Sequence, residues 1–220
     1  MTADSIVNLT IPFLKLTDTV KSALELYNIH KLSFLPVVED KSFLGLLSDI
    51  ELLEETGNKK INAFTLVKTD AFVHEGQHIL EVFRLMNIHE TSIIGVLNSS
   101  NEYIGCVSHG DVVTYLSTLG YIKAPGGIIV LSVDQNQYSL AEISRIVESN
   151  DMKILGSYVT DNPENGFETF VTIKINKTDL TRLIASFERY SYKIVADFHE
   201  SAFQSYDAER LELLFKYLNI

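Results

Sequence analysis

One cysteine, Cys106, occurs in the 220 residues, so no intramolecular disulfide can form. A lone cysteine fits a reducing compartment. Positive charge is scarce: 18 lysines and arginines face 29 aspartates and glutamates, a formal charge of −11. So acidic a surface repels phosphate backbones and anionic lipid, which argues against nucleic acid and membrane surfaces as partners. Long apolar runs are also missing, and none approaches the roughly 18 residues a membrane helix needs. The opening MTADSIVNLT has neither the basic flank nor the apolar stretch of a signal peptide. The expectation is a cytoplasmic protein. No G-x-S-x-G, P-loop or dinucleotide-binding glycine pattern is present. Among six histidines the one close pair is His74 and His78, and no Glu or Cys completes a metal set around it. His30 and His89 recur by duplication and are read as structural, and Cys106 as inert packing in a buried strand. No enzyme, metal or resident cofactor is expected.

What is present is a repeat. FLGLLSDIELL, Phe43 to Leu53, returns as YIGCVSHGDVV, Tyr103 to Val113. Each sets an aromatic and an aliphatic before a Gly, then two apolar residues, a Ser, and an acid three positions later. Upstream, YNIHKLSFLPVV pairs with MNIHETSIIGVL, and one extra residue in NSSNE relative to EDKS changes the offset from 59 to 60. Val20, Ala23, Leu24 and Tyr27 share a helical face, repeated as Ile79, Val82, Phe83 and Met86. Each repeat therefore reads helix, strand, turn, strand, helix, with Glu54 to Ala63 as the polar connector. Two such repeats pack together, because one cannot cover its own sheet.

The paired motifs, each preceded by a strand such as LPVV, resemble a tandem CBS-domain pair, or Bateman module, over roughly residues 1–120. Boundaries at 1–58 and 61–121 follow for the two CBS units.

Beyond Pro125-Gly126-Gly127 the pattern changes. GIIVLSV reads as a strand. SLAEISRIVESND reads as a helix, opened by a Ser139–Glu142 capping box, with Leu140, Ile143, Ile146 and Val147 on one face. KILGSYVTD is a strand and DNPENG a turn. FETFVTIKIN alternates, with Phe167, Thr169, Val171, Ile173 and Ile175 on one side. A helix through Leu180, Leu183, Ile184 and Phe187 and a last strand, YKIVADFHE, complete βαββαβ over 126–200, the ferredoxin-like arrangement. In this position it resembles an ACT domain. The whole resembles the acetoin utilization protein B group, an α/β (α+β) fold. The tail 201–220 reads as an amphipathic helix with Leu211, Leu214, Phe215 and Leu218 on one face.

A carboxylate at the start of a helix can accept two hydrogen bonds from a vicinal diol, beside free backbone N–H groups that suit an anion. It can equally be a plain helix cap. The CBS resemblance implies an adenosine-containing ligand between the units, held by Ser108 and Asp111 in the second and Ser48 and Glu51 in the first. Glu51 departs from the usual Asp by one methylene. Where the family often has Arg before the acid, this chain has Gly110 and Ile50. Lys68, in the strand that starts the second repeat, and His109 are the remaining candidates. With so little positive charge, adenosine, AMP or S-adenosylmethionine is expected rather than ATP. The ACT resemblance implies a glycine in the loop after the first strand for amino-acid binding. DQNQYSL, Asp134 to Leu140, has none and carries Tyr138, which points to a pairing role.

The reading is thus a non-catalytic regulatory protein with an unknown regulated partner, acting as a homodimer because sheet edges and the tail helix call for partners. The alternative is a structural or adaptor homo-oligomer with a degenerate, unoccupied CBS cleft.

Overall fold

The structure, a computed structural model, describes residues 1–53, 55 and 58–199. The tail helix expected over 201–220 lies outside the described residues. The chain divides into an N-terminal unit, Met1–Ser117, and a C-terminal unit, Thr118–Ile220.

In the N-terminal unit the first repeat comprises α1 (Val20–His30), β1 (Phe34–Glu39), β2 (Ser42–Ser48) and α2 (Ile50–Leu53). The second comprises β3 (Phe72–His74), α3 (Ile79–Ile88), β4 (Ile93–Leu97), β5 (Tyr103–Ser108) and α4 (His109–Thr118). α1 starts at a capping box, Thr19 with Ser22, and stops at Lys31 in the left-handed conformation. The expected apolar stripes face inward: Val20, Ala23 and Tyr27 are buried on α1, and Ile79, Val82 and Met86 on α3.

Sequence periodicity leaves one feature unannounced, which is how the repeats interlock. β1 pairs antiparallel with β2, and β4 with β5. Leu14 bridges Val37 in parallel, as β3 pairs with β4 through Val73 and Val96. Each repeat then sends a segment to the other's second strand. Asn8 bridges Cys106 of β5, and Val67 bridges Leu46 of β2. The duplicated glycines stand at these crossings. Gly45 has φ 145° and Gly105 φ 150°. A Cβ on Gly45 would lie 2.9 Å from the Val67 carbonyl oxygen, and one on Gly105 2.5 Å from Val7 Cγ1. Only glycine permits both that backbone and that approach. Beside the crossings Phe43 stacks on Tyr103, their centroids 6.1 Å apart, and Phe72 and Phe13 meet them edge-on. The four rings repeat the duplication, since Phe13 corresponds to Phe72 and Phe43 to Tyr103. The connector is bound down too: Ile61 is buried and donates to the Asp18 carbonyl.

The C-terminal unit begins with α5 (Gly120–Lys123), followed by β6 (Ile128–Asp134), α6 (Leu140–Glu148), β7 (Ile154–Asp161), β8 (Glu168–Ile175), α7 (Thr181–Arg189) and β9 (Lys193–Phe198). The strand order β7-β8-β6-β9, antiparallel throughout, is the ferredoxin-like sheet. Its core gathers Ile129, Leu131, Ile143, Ile146, Val171, Ile173, Leu183 and Phe187. Two details depart from the sequence reading. Phe167 precedes β8 and is 81% exposed, because the turn ahead of Glu168 takes it out of the alternation. Leu140, in the first turn of α6, is also exposed. Ser139 accepts the Glu142 backbone N–H, as its capping role requires. Tyr138 packs on the core rather than into the loop. Among the described residues no helix is long and apolar enough to cross a membrane.

Candidate functional site

β5 delivers Ser108 to the mouth of α4. Asp111 Oδ2 accepts the Ser108 backbone N–H at 2.8 Å and its hydroxyl at 2.6 Å, while the Ser108 oxygen accepts the Asp111 N–H at 3.2 Å. This is a reciprocal cap. Oδ1 accepts Asn8 Nδ2 at 2.9 Å. Asn8 belongs to the segment that crosses from the first repeat, so one carboxylate fastens both repeats. Two carboxylate oxygens offer about four acceptor positions, of which three are taken and one, on Oδ1, remains.

The first repeat does not reproduce the cap. The Ser48 hydroxyl donates to Asp49 Oδ1 at 3.4 Å and accepts the Ile50 N–H at 3.3 Å. Glu51 is exposed on the four-residue α2. Beneath Ser48, the Tyr27 hydroxyl donates to the Leu47 carbonyl at 2.7 Å. Burial, and then the charges of Asp49 and Glu51, hold its pKa above the ordinary tyrosine value.

A cavity of about 520 Å³ opens where the repeats meet. Ser33 and Phe34 line it from the start of β1, Asn87 and Glu90 from the end of α3, and Ser92 and His109 from the starts of β4 and α4. The Ser33 carbonyl accepts the Asp49 N–H and the Ser92 carbonyl the His109 N–H, so both repeats are pinned alike at this level. The Ser92 hydroxyl is buried without a hydrogen-bond partner.

Of the six residues singled out in the sequence, His109 alone lines the cavity. Ser108 and Asp111 flank it in the chain, bonded to each other. Ser48 and Glu51 stand at the matching position of the first repeat. Lys68 is in a turn ahead of β3 rather than in a strand, with φ 52°. Its ammonium donates to the His89 carbonyl and lies 5.4 Å from the centre of the Phe34 ring, at the cavity's edge. Sequence reasoning missed Asn8, Phe34, Glu90 and the serine pair. Ser33 and Ser92 did leave a signal, as the same residue type ahead of each duplicated strand. Cys106 is fully buried, and burial pushes its thiol up to about 12, with the Asp111 charge adding and a Tyr103 interaction opposing. Among the described residues no group of three or more His, Cys, Asp or Glu is placed to hold a metal.

The CBS-domain family model matches the sequence twice, over residues 3–57 and 65–118. A CBS domain pair/ACT domain protein from Thermotoga maritima shares 23% identity over 53% of this chain and 96% of its own, with a TM-score of 0.48. CBSX2 in complex with AMP shares 22% over 52% of this chain and 95% of its own, with a TM-score of 0.46. The cytosolic domain of the Mg2+ channel MgtE in complex with ATP shares 17% over 52% of this chain and 48% of its own, with a TM-score of 0.44. No curated protein matches the chain.

Proposed function

Because residues 3–57 and 65–118 are two CBS domains in tandem, we propose that the chain is a non-catalytic regulatory protein that takes an adenosine-containing ligand in the cleft between its repeats. The carrying observation is the cavity of about 520 Å³ that residues of both repeats line, with the start of α4 at its wall through His109. Phe34 offers a ring face for a base. Asp111 is outside the cavity lining, two residues along the chain from His109, and its remaining acceptor position would take a ribose hydroxyl of a ligand that extends past His109. Ser108 holds that carboxylate in place. Ser48 and Glu51 are the weaker counterpart.

Charge selects among adenosine ligands. Lys68 is committed to the His89 carbonyl, Gly110 and Ile50 bring no charge, and Glu90 adds a carboxylate to the cavity wall. A triphosphate would lack neutralisation there, so adenosine, AMP or S-adenosylmethionine is favoured over ATP. Binding biases the packing of the repeats only insofar as the ligand prefers one of two states. We assign the transmission of that bias to a cytoplasmic homodimer paired through the edge strands β7 and β9, and to a regulated protein whose chemistry the site does not encode. The finer likeness, to ACT domains and to the acetoin utilization protein B group, belongs to the same proposal.

One observation favours a second reading. Asp111 already accepts three hydrogen bonds as cap and clasp, which suits an adaptor with a degenerate cleft. Titration calorimetry with AMP, adenosine, S-adenosylmethionine and ATP, on wild type and Asp111→Ala, separates the two. The sensor predicts micromolar binding that the variant weakens at least about tenfold, roughly 1.4 kcal/mol. The adaptor predicts no heat from any of the four. In both cases the ligand-free variant loses about 1–2 kcal/mol of stability with its cap.

A further inference from the structure

The duplication supplies an internal comparison around the β1–β2 turn, at the end of β1 away from the cleft. Leu14 donates to the Pro36 carbonyl and accepts the Val38 N–H, so residues 13–15 run beside β1 as an added strand. Leu14 is buried, and alternation turns Phe13 and Lys15 to the opposite side. The turn residues Asp40 and Lys41 both have positive φ, 45° and 67°, as a tight two-residue hairpin requires. The Lys41 carbonyl accepts the Tyr103 N–H at 2.7 Å, and its ammonium pairs with Glu102 at 3.1 Å. Between this turn and the added strand lies a cavity of about 340 Å³. Phe13 and Tyr103, edge to face, line it, with Lys15, Glu39 and Asp40 around them. In the second repeat its own side chains are bound together at the same place. His74, at the position of Lys15, stands edge-on to Phe72 at 5.8 Å, and Glu75 accepts the Ser99 N–H at 3.1 Å, tying that turn down. Glu75 corresponds to Leu16, which has no carboxylate with which to do this.

We propose that this cavity is a second binding site, independent of the cleft, for a free amino acid with an apolar or aromatic side chain. Charge decides the class. Four charged residues line the cavity, but Lys41 is paired with Glu102, and Glu39 Oε2 accepts the Leu16 N–H at 3.3 Å. The Lys15 ammonium and the Asp40 carboxylate have no ion-pair or hydrogen-bond partner among the described residues. One free ammonium and one free carboxylate suit a zwitterion: Lys15 takes the carboxylate of the ligand and Asp40 its ammonium, each through a charge-assisted hydrogen bond. Phe13, 41% exposed, and Tyr103 give the ligand side chain an aromatic wall. The volume is that of a small-molecule pocket. A nucleotide does not suit this wall, because Glu39 and Asp40 oppose its phosphate. The position also has a consequence. The turn that carries Asp40 is bonded to β5 of the second repeat through Lys41, so a ligand here joins the two repeats without entering the cleft.

Titration calorimetry on the full chain tests this with L-phenylalanine and L-leucine. Each is run beside its analogue without the ammonium (phenylpropionate, isocaproate), its analogue without the carboxylate (phenylethylamine, isoamylamine), and glycine. At least one of the two amino acids is expected to bind with a Kd below about 1 mM, tenfold or more tighter than its two analogues and glycine. Lys15→Gln and Asp40→Asn are each expected to weaken that binding tenfold or more, while Lys15→Arg, which keeps the charge, retains it. Both side chains are exposed and Asn tolerates the positive φ of residue 40, so the fold is kept, as far-ultraviolet circular dichroism checks. Asp111→Ala is expected to leave the affinity unchanged. No binding of either amino acid overturns the proposal. So does binding that the analogues or glycine match, or that Lys15→Gln and Asp40→Asn leave intact. A loss with Asp111→Ala as large as with Lys15→Gln would assign the amino acid to the cleft and overturn it too.

Discussion

The Cys106 side chain is enclosed by the core of the N-terminal unit, beside Val96 and Val107. Burial leads the causes that push its thiol up to about 12. The nucleophile in alkylation is the thiolate, so a thiol held near 12 stays almost wholly protonated and unreactive at ordinary pH. At pH 8.5, iodoacetamide is expected to leave the native protein unlabelled over hours and to label it within minutes in strong urea. Rapid native labelling would mean that β5 opens readily. The sign of the linkage follows from the raised value. The fold favours the protonated thiol, so this contribution is intact below the ordinary thiol pKa and is lost as pH rises towards about 12. At this scale the sequence was legible in kind rather than in detail. A thiol in an apolar strand reads as inert packing. The three bonds of Asp111 do not read from the sequence, because Asn8 lies 103 positions away and reaches it only through the crossing of the repeats. The same holds for Lys68. Its charge suggested a ligand contact, while its turn geometry and its bond to the His89 carbonyl depend on where α3 ends.

The duplicated strand-turn-strand elements owe their interlock to two glycines, and the third glycine of the motif region supplies a control. Gly45→Ala and Gly105→Ala would force a side chain into an unfavourable φ and into the crossing segment, so each is expected to cost about 1–3 kcal/mol in urea unfolding. Gly110 lies within α4, where an added Cβ meets only Ser108 Oγ at 3.5 Å. Gly110→Ala is therefore expected to be neutral or stabilising by up to about 1 kcal/mol. Equal losses at all three positions would remove the crossing as the explanation. The motif carries this information only partly. The repeated Gly is visible in the sequence, yet its reason is a contact between segments some 20 to 100 residues apart, which no local periodicity encodes. The elements themselves read well because their signals are local: the helical stripes of α1 and α3, the turn residues between strands, and the Ser139 cap. Phe167 shows the limit. Alternation runs through it, but the preceding turn decides where pairing begins.

At the scale of the molecule, the buried clusters set how the chain melts. Two clusters serve Met1–Ser117, and one of them draws Leu46 of the first repeat together with Val73, Ile93 and Val107 of the second. Neither repeat completes that cluster alone, so the two CBS units are expected to unfold as one. The C-terminal cluster is built from residues 129–194. Calorimetry is therefore expected to resolve two transitions, each assignable by a core truncation. Val96→Ala lowers the N-terminal transition and Leu183→Ala the C-terminal one, the leucine change by about 2–5 kcal/mol. Each is expected to leave the other transition within about 0.5 kcal/mol of wild type, as sites in clusters that share no residue do. A ligand of the cleft, added at a hundred times its Kd, should raise the N-terminal transition alone by about 2.7 kcal/mol. If both truncations moved a single transition together, the two units would be energetically one, and a ligand between the repeats would stabilise the ferredoxin-like sheet directly. If the transitions stay independent, binding reaches the sheet only by changing what its edges meet, and the regulatory output must be sought in assembly rather than in the sheet's own stability.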